Sequence, residues 1–226
     1  MKQDSTQNLA LFDLDNTLLA GDSDYNWSLF LISEGLLDAK THHDRNEQFY
    51  ADYKAGQLNI VEFLKFQLKL LSEHPKAFLD ELHKKYMQKI IRPMMTVKAQ
   101  NLVDKHRAAG DLCVVITATN SFVTKPIATA YGIEHLIGSD PEMVNGEYTG
   151  GVTGVPTYKE GKVIRLNQWL EARGKKLSDF EKSYFYSDSL NDLALLEIVT
   201  NPVAVDADET LKKVAQAKGW PQMSLR

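Results

Sequence analysis

The amino-acid sequence predicts an α/β fold in which a doubly wound parallel sheet carries an inserted all-helical cap. Its 226 residues can bury one sizeable core and a smaller inserted unit. A short apolar run near the start is followed by a long stretch in which apolar residues recur only at helical spacing, and the rest of the chain alternates β-branched apolar runs with helical segments. We therefore expect a core of residues 1–20 and 93–226 and a helical cap of residues 21–92 inserted after the first strand.

The first strand is predicted at residues 9–14. This apolar run meets polar residues at Asp15, Asn16 and Thr17, which is typical of a buried parallel strand that ends in a loop. Two carboxylates, Asp13 and Asp15, are therefore expected at the carboxyl edge of the sheet.

The inserted segment, residues 24–91, shows helical periodicity and no strand signal. We expect it to end at Arg92-Pro93, because a residue before proline disfavours the α-helical conformation. A helical insert at this point would form a lid that excludes water from a site at the sheet edge.

Strands and helices alternate after the insert. Each predicted helix stops at or near a glycine, which suits a helix C-terminus, and Asn145-Gly146 has the signature of a tight hairpin. The predicted helices are residues 96–109, 121–131 and 161–172, and the predicted strands are residues 112–117, 135–137, 184–186 and 202–205.

Polar clusters follow three of the predicted strands, at residues 13–17, 117–120 and 187–192. Because ligands bind beyond the carboxyl ends of the strands in such sheets, these clusters are expected to meet at one site. An Asp-x-Asp-x-Thr string alone is only a moderate signal, since an Asp at a strand end can simply turn the chain. The convergence of three clusters favours a functional site.

The residues of these clusters, in this order, resemble the haloacid dehalogenase superfamily of phosphatases, and within it the branch of the phosphoserine phosphatases (subfamily IB). The resemblance spans residues 9–205. Its motifs are Asp-x-Asp-x-Thr, a Ser or Thr after an apolar strand, a Lys, and an acidic Asp-x-x-Asn-Asp cluster, and the matching residues are Asp13, Asp15, Thr117, Lys162, Asp188, Asn191 and Asp192. The resemblance implies a Rossmann-like core with a cap and a Mg²⁺-dependent phosphatase that acts on a small phosphate ester.

The resemblance also implies that Asp13 is the nucleophile and forms an aspartyl-phosphate. A phosphate monoester dianion repels a carboxylate, so the attack needs nearby positive charge. Mg²⁺ prefers oxygen ligands, which suits Asp13, Asp188 and the backbone carbonyl of Asp15. Asp192 is expected either to bind the metal directly or to contact one of its ligands. Asp15 is expected to protonate the leaving group and then to activate water.

Thr117, the backbone amides after it, including that of Ala118, and a lysine are expected to hold the phosphoryl oxygens. Lys159 and Lys162 both precede the third helix predicted after the insert. Lys162 is preferred, because the lysine of the family begins that helix. Asn191 is expected to help orient the substrate.

Two positions bear on the substrate. Asp22 lies nine residues after the nucleophile, where phosphoserine phosphatases have an acidic residue that binds the substrate ammonium. Gln67 stands where they have an Arg for the substrate carboxylate, and a neutral amide cannot form that bidentate ion pair. An amino-alcohol phosphate such as histidinol phosphate is therefore expected, and phosphoserine stays open if Lys65 substitutes for the Arg.

Two other functions use a similar set of residues. A phosphomutase or phosphotransferase would keep the whole core. A phosphoacceptor signalling domain also combines Asp, Thr, Lys and Mg²⁺, but it lacks a lid and its phosphorylated Asp follows a later strand. Catalytic turnover is therefore favoured over signalling.

The composition limits the partners and the location. A net charge of −4 offers no general attraction for nucleic acid. The N-terminus does not resemble a secretory signal, and no apolar stretch approaches the roughly 18 residues that a membrane span requires, so no membrane partner is expected. The single cysteine, Cys113, excludes an internal disulfide and fits a cytoplasmic protein. The oligomeric state stays open.

Overall fold

The computed structural model describes residues 7–226, so the first six residues of the predicted core range lie outside the described residues. A seven-stranded sheet has the order β4-β3-β2-β1-β5-β6-β7 and is parallel except for β4, which runs antiparallel to β3. The strands are β1 (Leu9–Phe12), β2 (Leu112–Asn120), β3 (His135–Val144), β4 (Glu147–Thr153), β5 (Ser183–Ser187), β6 (Asn201–Val205) and β7 (Gln222–Met223).

Helices fill the insert and cover the sheet. Between β1 and β2 lie α1 (Ser23–Ser33), α2 (Ala39–Lys54), α3 (Ile60–Glu73), α4 (Lys76–Tyr86), α5 (Arg92–Met94) and α6 (Val97–Ala108). After β2 come α7 (Ser121–Ala130), α8 (Glu160–Glu171), α9 (Leu193–Leu196) and α10 (Glu209–Lys218). Over the described residues, no helix is both long enough and apolar enough to cross a bilayer.

The sheet is buried on both faces, as the apolar run of β1 predicts. Ala10 and Phe12 of β1 belong to one core with residues of α6 and α7. Leu9 and Leu11 point to the other face and belong to a second core with residues of α8, α9 and α10. Successive side chains of a strand point to opposite faces, so a continuous apolar run is needed where helices pack on both sides. The predicted doubly wound α/β class is confirmed.

The strand order reverses at β1. This strand pairs in parallel with β2 on one side and with β5 on the other, and Phe12 lies opposite both Val115 and Tyr186. The chain proceeds from β2 to β3 on one side and from β5 to β7 on the other. A crevice opens at such a reversal beyond the carboxyl ends of the strands, and the first polar cluster directly follows β1.

The end of the helical insert differs from the prediction. A wide π-helical turn, Met87–Ile91, follows α4, and α5 carries the helix through Pro93 to Met94. The backbone N–H of Arg92 bonds to the carbonyl oxygen of Met87, five residues earlier. Pro93 then stands in the first turn of α5, where a missing N–H and a fixed φ are tolerated. The exact division into core and cap stays a prediction.

Strands β2 and β3 are longer than predicted. β2 continues to Asn120, with a shift of register against β3 after Ile116. β3 continues to Val144 because it pairs with β4 in a hairpin. Asn145 and Gly146 connect the two strands with positive φ values of 53° and 85°, which confirms the predicted Asn-Gly turn. The edge strand β7 was not predicted.

Candidate active site

The first polar cluster forms a turn directly after β1. The backbone N–H of Asp13 donates to the carbonyl oxygen of Tyr186, 2.9 Å away, so the ladder with β5 continues to this residue. Asn16 has a φ of 55°, a conformation that Asn tolerates better than most residues. Asp13 is only 4% exposed. The sequence therefore buries a carboxylate at the switch point of the sheet.

Lys162 lies between two of the predicted site carboxylates. Its Nζ is 2.8 Å from Oδ1 of Asp13 and 2.7 Å from Oδ2 of Asp192, and Lys162 is 3% exposed. Burial alone would lower the pKa of Lys162, but the two carboxylates raise it above its usual value. Burial raises the pKa of Asp13, although Lys162 opposes the shift. Burial also raises the pKa of Asp192 to about 6, again opposed by Lys162.

Ser187 supports this ion pair from β5. Its Oγ donates to Oδ2 of Asp192, 2.7 Å away, and its side chain is fully buried. Ser187 directly precedes Asp188 in the sequence, and the structure gives its hydroxyl a definite partner. Oδ2 of Asp192 thus accepts from both Lys162 and Ser187.

Asp15 is oriented away from Lys162 by two hydrogen bonds. Its Oδ1 accepts from the backbone N–H of Ser23, 2.6 Å away, and its Oδ2 accepts from Oγ1 of Thr119, 2.8 Å away. Burial raises the pKa of Asp15 to about 7, and the charge of Asp22 adds to the shift. A carboxyl with this pKa can both donate and accept a proton near neutral pH. Thr119, which the sequence did not single out, holds it in place.

Asp13 and Asp188 converge on one hydroxyl. Oγ1 of Thr17 donates to Oδ1 of Asp188, 3.0 Å away, and is 3.4 Å from Oδ2 of Asp13. One hydroxyl proton cannot satisfy both carboxylates. Burial raises the pKa of Asp188 well above its usual value, and the charges of Asp13 and Asp192 add to this.

These two carboxylates fit a Mg²⁺ site. Among residues 7–226, no group of three or more His, Cys, Asp or Glu side chains is arranged to hold a metal ion. Mg²⁺ usually keeps several waters and takes only one or two carboxylates together with substrate phosphate. Asp13 and Asp188 meet that need, whereas the Asp15 side chain is bonded to Ser23 and Thr119, and Oδ2 of Asp192 to Lys162 and Ser187.

The end of β2 supplies the next wall of the site. Thr117 is buried, and its Oγ1 accepts from the backbone N–H of Thr119, 3.2 Å away. The carbonyl oxygen of Ala118 accepts from Oγ of Ser139, 2.9 Å away, and that Oγ accepts from the backbone N–H of Thr157. These bonds fix Thr117 and Ala118 on the wall of the same cavity as Asp13 and Lys162.

Lys159 and Asn191 contact the backbone of the helical insert. Nζ of Lys159 donates to the carbonyl oxygen of Gly56, 2.6 Å away. Nδ2 of Asn191 donates to the carbonyl oxygen of Tyr53, 3.1 Å away, and its Oδ1 accepts from the hydroxyl of Tyr158. Asn191 also lines the cavity. Of the two lysines, only Lys162 contacts the site carboxylates, and Lys159 fastens the insert to the core.

A cavity of about 690 Å³, including space open to solvent, lies between the insert and the sheet edge. Its wall on the side of the insert is largely aromatic and apolar, formed by Tyr25, Phe49, Tyr50, Tyr53, Leu58, Ile60 and Phe63, with Tyr158 from the core. Helical periodicity shows that a face is apolar but does not show whether protein or ligand covers it.

Asp22 is the N-cap of α1 and also lines the cavity. Its Oδ1 accepts from the backbone N–H groups of Asp24 and Tyr25, at 2.9 and 2.8 Å. Both bonds use the same oxygen, so Oδ2 is not needed for the cap. Burial raises the pKa of Asp22, although the two N–H groups oppose the shift.

Asp24 is a second acidic residue on this wall and was not predicted. It is 3% exposed, and Nδ2 of Asn120 lies 3.4 Å from its Oδ1. Its Oδ2 is buried and has no hydrogen-bond partner among the residues that the structure describes. Burial raises the pKa of Asp24 well above its usual value, and the charges of Asp22 and Asp15 add to the shift.

Gln67 is not among the residues that line the cavity, and its role in substrate binding stays a prediction. Its Oε1 accepts from Oγ of Ser28, 3.0 Å away, and its Nε2 donates to Oδ1 of Asn46, 3.3 Å away. Asn46 lies on the cavity wall. The Gln67 amide is engaged inside the insert and supports a lining residue. Within the described part of the chain, Lys162 is the only basic side chain on the cavity wall, and Lys65 is not on it.

Comparisons with known proteins agree with this geometry. A sequence model described as haloacid dehalogenase-like hydrolase matches residues 10–197. A Neisseria meningitidis protein named histidinol-phosphatase is 47% identical over 97% of this chain and all of its own length. A phosphoserine phosphatase of Mycobacterium tuberculosis is 27% identical over 93% of this chain and 68% of its own.

Solved structures show the same architecture. A Bordetella pertussis protein of unknown function has a TM-score of 0.93 and 48% identity, and the match covers 98% of this chain and all of that one. A substrate-bound phosphoserine phosphatase has a TM-score of 0.68 at 17% identity, over 99% of this chain and 95% of that one. The second match shows a shared fold.

Proposed function

This chain belongs to the haloacid dehalogenase-like hydrolase family and is a phosphatase, and we propose that it hydrolyses an amino-alcohol phosphate, with histidinol phosphate as its substrate, through an aspartyl-phosphate on Asp13. The observation that carries the proposal is the charge on the cavity wall. Lys162 lies at the end beside the nucleophile, and Asp22 and Asp24 lie on the wall of the insert without a basic partner on that wall.

In the first step, an oxygen of Asp13 attacks phosphorus and the bond from phosphorus to the alkoxide breaks. The proton of the Asp15 carboxyl goes to that alkoxide, which leaves as the free alcohol. The pKa of about 7 supports this role, because the carboxyl is still substantially protonated at neutral pH. Lys162, the Thr117 hydroxyl and the backbone amide of Ala118 stabilise the phosphoryl oxygens.

In the second step, the Asp15 carboxylate takes a proton from a water molecule, and the water oxygen attacks the phosphorus of the aspartyl-phosphate. Asp13 is released as a carboxylate and inorganic phosphate leaves. Asp15 regains its proton, so the cycle closes with one water consumed. The hydrogen bonds to Ser23 and Thr119 hold this carboxyl in the same position during both steps.

Asp13 and Asp188, with the backbone carbonyl of Asp15, would hold Mg²⁺, which when bound supplies positive charge against the nucleophile and the phosphoryl group. Thr17 keeps the two carboxylates side by side through its shared hydroxyl. Asp192 keeps Lys162 directed at Asp13. Removal of divalent ions is therefore expected to abolish turnover.

The cavity favours a substrate that has an amine and lacks a carboxylate. A substrate ammonium can bind Asp22, whose Oδ2 is not needed for the helix cap. Among the described residues, a substrate carboxylate would lie beside Asp15, Asp22 and Asp24 and would find no cation on that wall, so it would lose hydration without gaining an ion pair. The histidinol-phosphatase name of the 47% identical relative supports the same substrate.

We also assign the chain to the cytoplasm and residues 21–92 to a cap over the site. Cys113 is the single cysteine, and burial raises the pKa of its thiol to about 11, so it is suited to packing and not to redox chemistry. The contacts of Lys159 and Asn191 with backbone carbonyls of the insert support the cap assignment.

The test is steady-state hydrolysis of L-histidinol phosphate and L-phosphoserine with Mg²⁺. We expect kcat/KM to favour histidinol phosphate by about 100-fold or more, because a bidentate carboxylate partner is missing. A preference for phosphoserine contradicts the proposed substrate.

A further inference from the structure

We propose that Asp24 is the residue that recognises the imidazole ring of the substrate, through a hydrogen bond between its Oδ2 and a ring nitrogen. The inference rests on the proposed histidinol phosphate activity and adds a second recognition site to it. Asp22 would bind the ammonium, and Asp24, two residues later in the first turn of α1, would bind the ring.

Asp24 has an unused hydrogen-bonding atom in a place where such atoms are rare. The residue is 3% exposed and lines the cavity, and its Oδ2 has no partner among residues 7–226. Oγ of the preceding residue, Ser23, is also buried without a partner in that part of the chain. Buried polar atoms nearly always have a partner from protein, water or ligand. Of these two residues, Asp24 lines the cavity, so its Oδ2 is placed to pair with a polar group from outside the chain.

The protein holds the Asp24 carboxyl in place but gives its Oδ2 no hydrogen bond from the described residues. Nδ2 of Asn120 lies 3.4 Å from Oδ1, and Asn120 is itself held as the N-cap of α7. An ordinary acidic residue in the first turn of a helix is exposed, and only the helix dipole stabilises its charge. Glu209, in the first turn of α10, is such a residue, since it is exposed and bonds to Lys212. Asp24 differs because it is held inside a cavity.

The wall beside Asp24 suits a flat ring. Tyr25 follows it in the chain, and the rings of Tyr25 and Tyr50 have centroids 5.4 Å apart. Both tyrosines and Asn46 line the cavity. Aromatic faces stack on an imidazole and attract an imidazolium. An imidazole can donate or accept a hydrogen bond, so it can pair with Asp24 in either protonation state, whereas an ammonium can only donate.

The test uses product-like inhibitors of a generic ester, so it does not depend on turnover of histidinol phosphate. Hydrolysis of p-nitrophenyl phosphate is inhibited with L-histidinol, or with L-alaninol, which keeps the amino alcohol and lacks the ring. The variants are Asp24→Leu, Asp24→Asn and Asp22→Asn. Glu209→Gln is the matched control, since it also removes a carboxylate that follows an Asp N-cap in a helix.

We expect Asp24→Leu to raise the inhibition constant of L-histidinol about tenfold or more and that of L-alaninol less than about twofold. Asp24→Asn keeps an acceptor and adds a donor, so it should lose less affinity. Asp22→Asn should weaken both inhibitors, and Glu209→Gln neither. The unfolding midpoint of Asp24→Asn should not fall, because a buried unpaired oxygen is replaced by a neutral group.

Three results would overturn the inference. Equal effects of Asp24→Leu on both inhibitors would show an ammonium contact or general damage, and no effect on either would show that a buried water occupies the site. Lack of inhibition of the wild type by L-histidinol also overturns it. Failure of the proposed function is a separate observation, namely poor turnover of histidinol phosphate by the wild type. The inference about Asp24 stands in that case if L-histidinol inhibits the Asp24 variants more weakly than it inhibits the wild type.

Discussion

Replacement of Lys162 by Met should destabilise the fold in a pH-dependent way. The change removes a cation that lies 2.8 Å from Asp13 and 2.7 Å from Asp192 and leaves two buried carboxylates without a counter-charge. Breaking a buried pair on one side costs about 3 to 5 kcal/mol. In the wild type, burial already raises the pKa of Asp192 to about 6 from 3.8 despite Lys162. Without the cation, this pKa should rise further.

The direction with pH follows from this shift. An acid with a raised pKa binds its proton more tightly in the folded state, so the fold loses stability as pH rises from the unfolded pKa to the folded one. At pH 5, neutralising a carboxyl costs only about 1.5 kcal/mol, because that pH is about one unit above the unfolded pKa. The loss in Lys162→Met should therefore be about 3 to 5 kcal/mol at pH 8 and smaller at pH 5.

The assay is urea unfolding followed by circular dichroism at both pH values. Lys159→Met is the matched control, since its Nζ bonds to the Gly56 carbonyl oxygen and not to an acid, and it should show no such pH dependence. The double variant Asp13→Asn/Lys162→Met should recover part of the loss, because it removes one stranded charge. Equal stability of Lys162→Met and wild type at pH 8, or an equal loss at both pH values, would refute the reasoning.

Three further predictions follow from single contacts. The kcat/KM of the wild type should fall as pH rises through about 7, because the Asp15 carboxyl must be protonated to donate to the leaving group; a flat profile from pH 6 to 9 would exclude this role. Lys159→Met should raise KM by up to about tenfold through loss of a charged hydrogen bond to Gly56, with the urea midpoint nearly unchanged; an unchanged KM would mean that this bond does not hold the insert. Gln67→Leu should lower the free energy of unfolding by about 1 to 3 kcal/mol, because Asn46 loses its partner, while hydrolysis of p-nitrophenyl phosphate persists; undiminished stability would contradict the network.

The sequence predicts which polar side chains meet at the sheet edge, because strand topology decides it, and their catalytic roles stay proposals. Asp13, Thr117 and Asp188 directly follow or end apolar runs, and the carboxyl ends of neighbouring parallel strands must meet. The choice between Lys159 and Lys162 was harder, since Lys159 directly precedes α8 and Lys162 lies in its first turn. The structure shows that only Lys162 reaches the carboxylates, because its side chain points into the core.

The substrate end was less predictable because it depends on how the helices of the insert pack. Gln67 and Asn46 are 21 residues apart and meet only in the folded insert. In the sequence, nothing distinguishes Asp24 from an ordinary acidic residue in the first turn of a helix. It is buried because α1 contacts the end of β2 at Asn120. The sequence predicted that the helix ends before Pro93, but the helix continues through it. The π-helical turn before Pro93 lets the proline stand in the first turn of α5, where its missing N–H is tolerated.

The most direct test of the central claim is to trap the phosphorylated enzyme. The Asp15→Asn variant, which cannot activate water, is mixed with Mg²⁺ and p-nitrophenyl phosphate, whose leaving group needs no proton from Asp15, and is then quenched in acid, digested and analysed by mass spectrometry. The account predicts one phosphoryl group on the peptide that contains Asp13, removable by hydroxylamine and absent when Asp13→Asn is added. Product formation with no modified peptide, or a phosphoryl group on another residue, would contradict it.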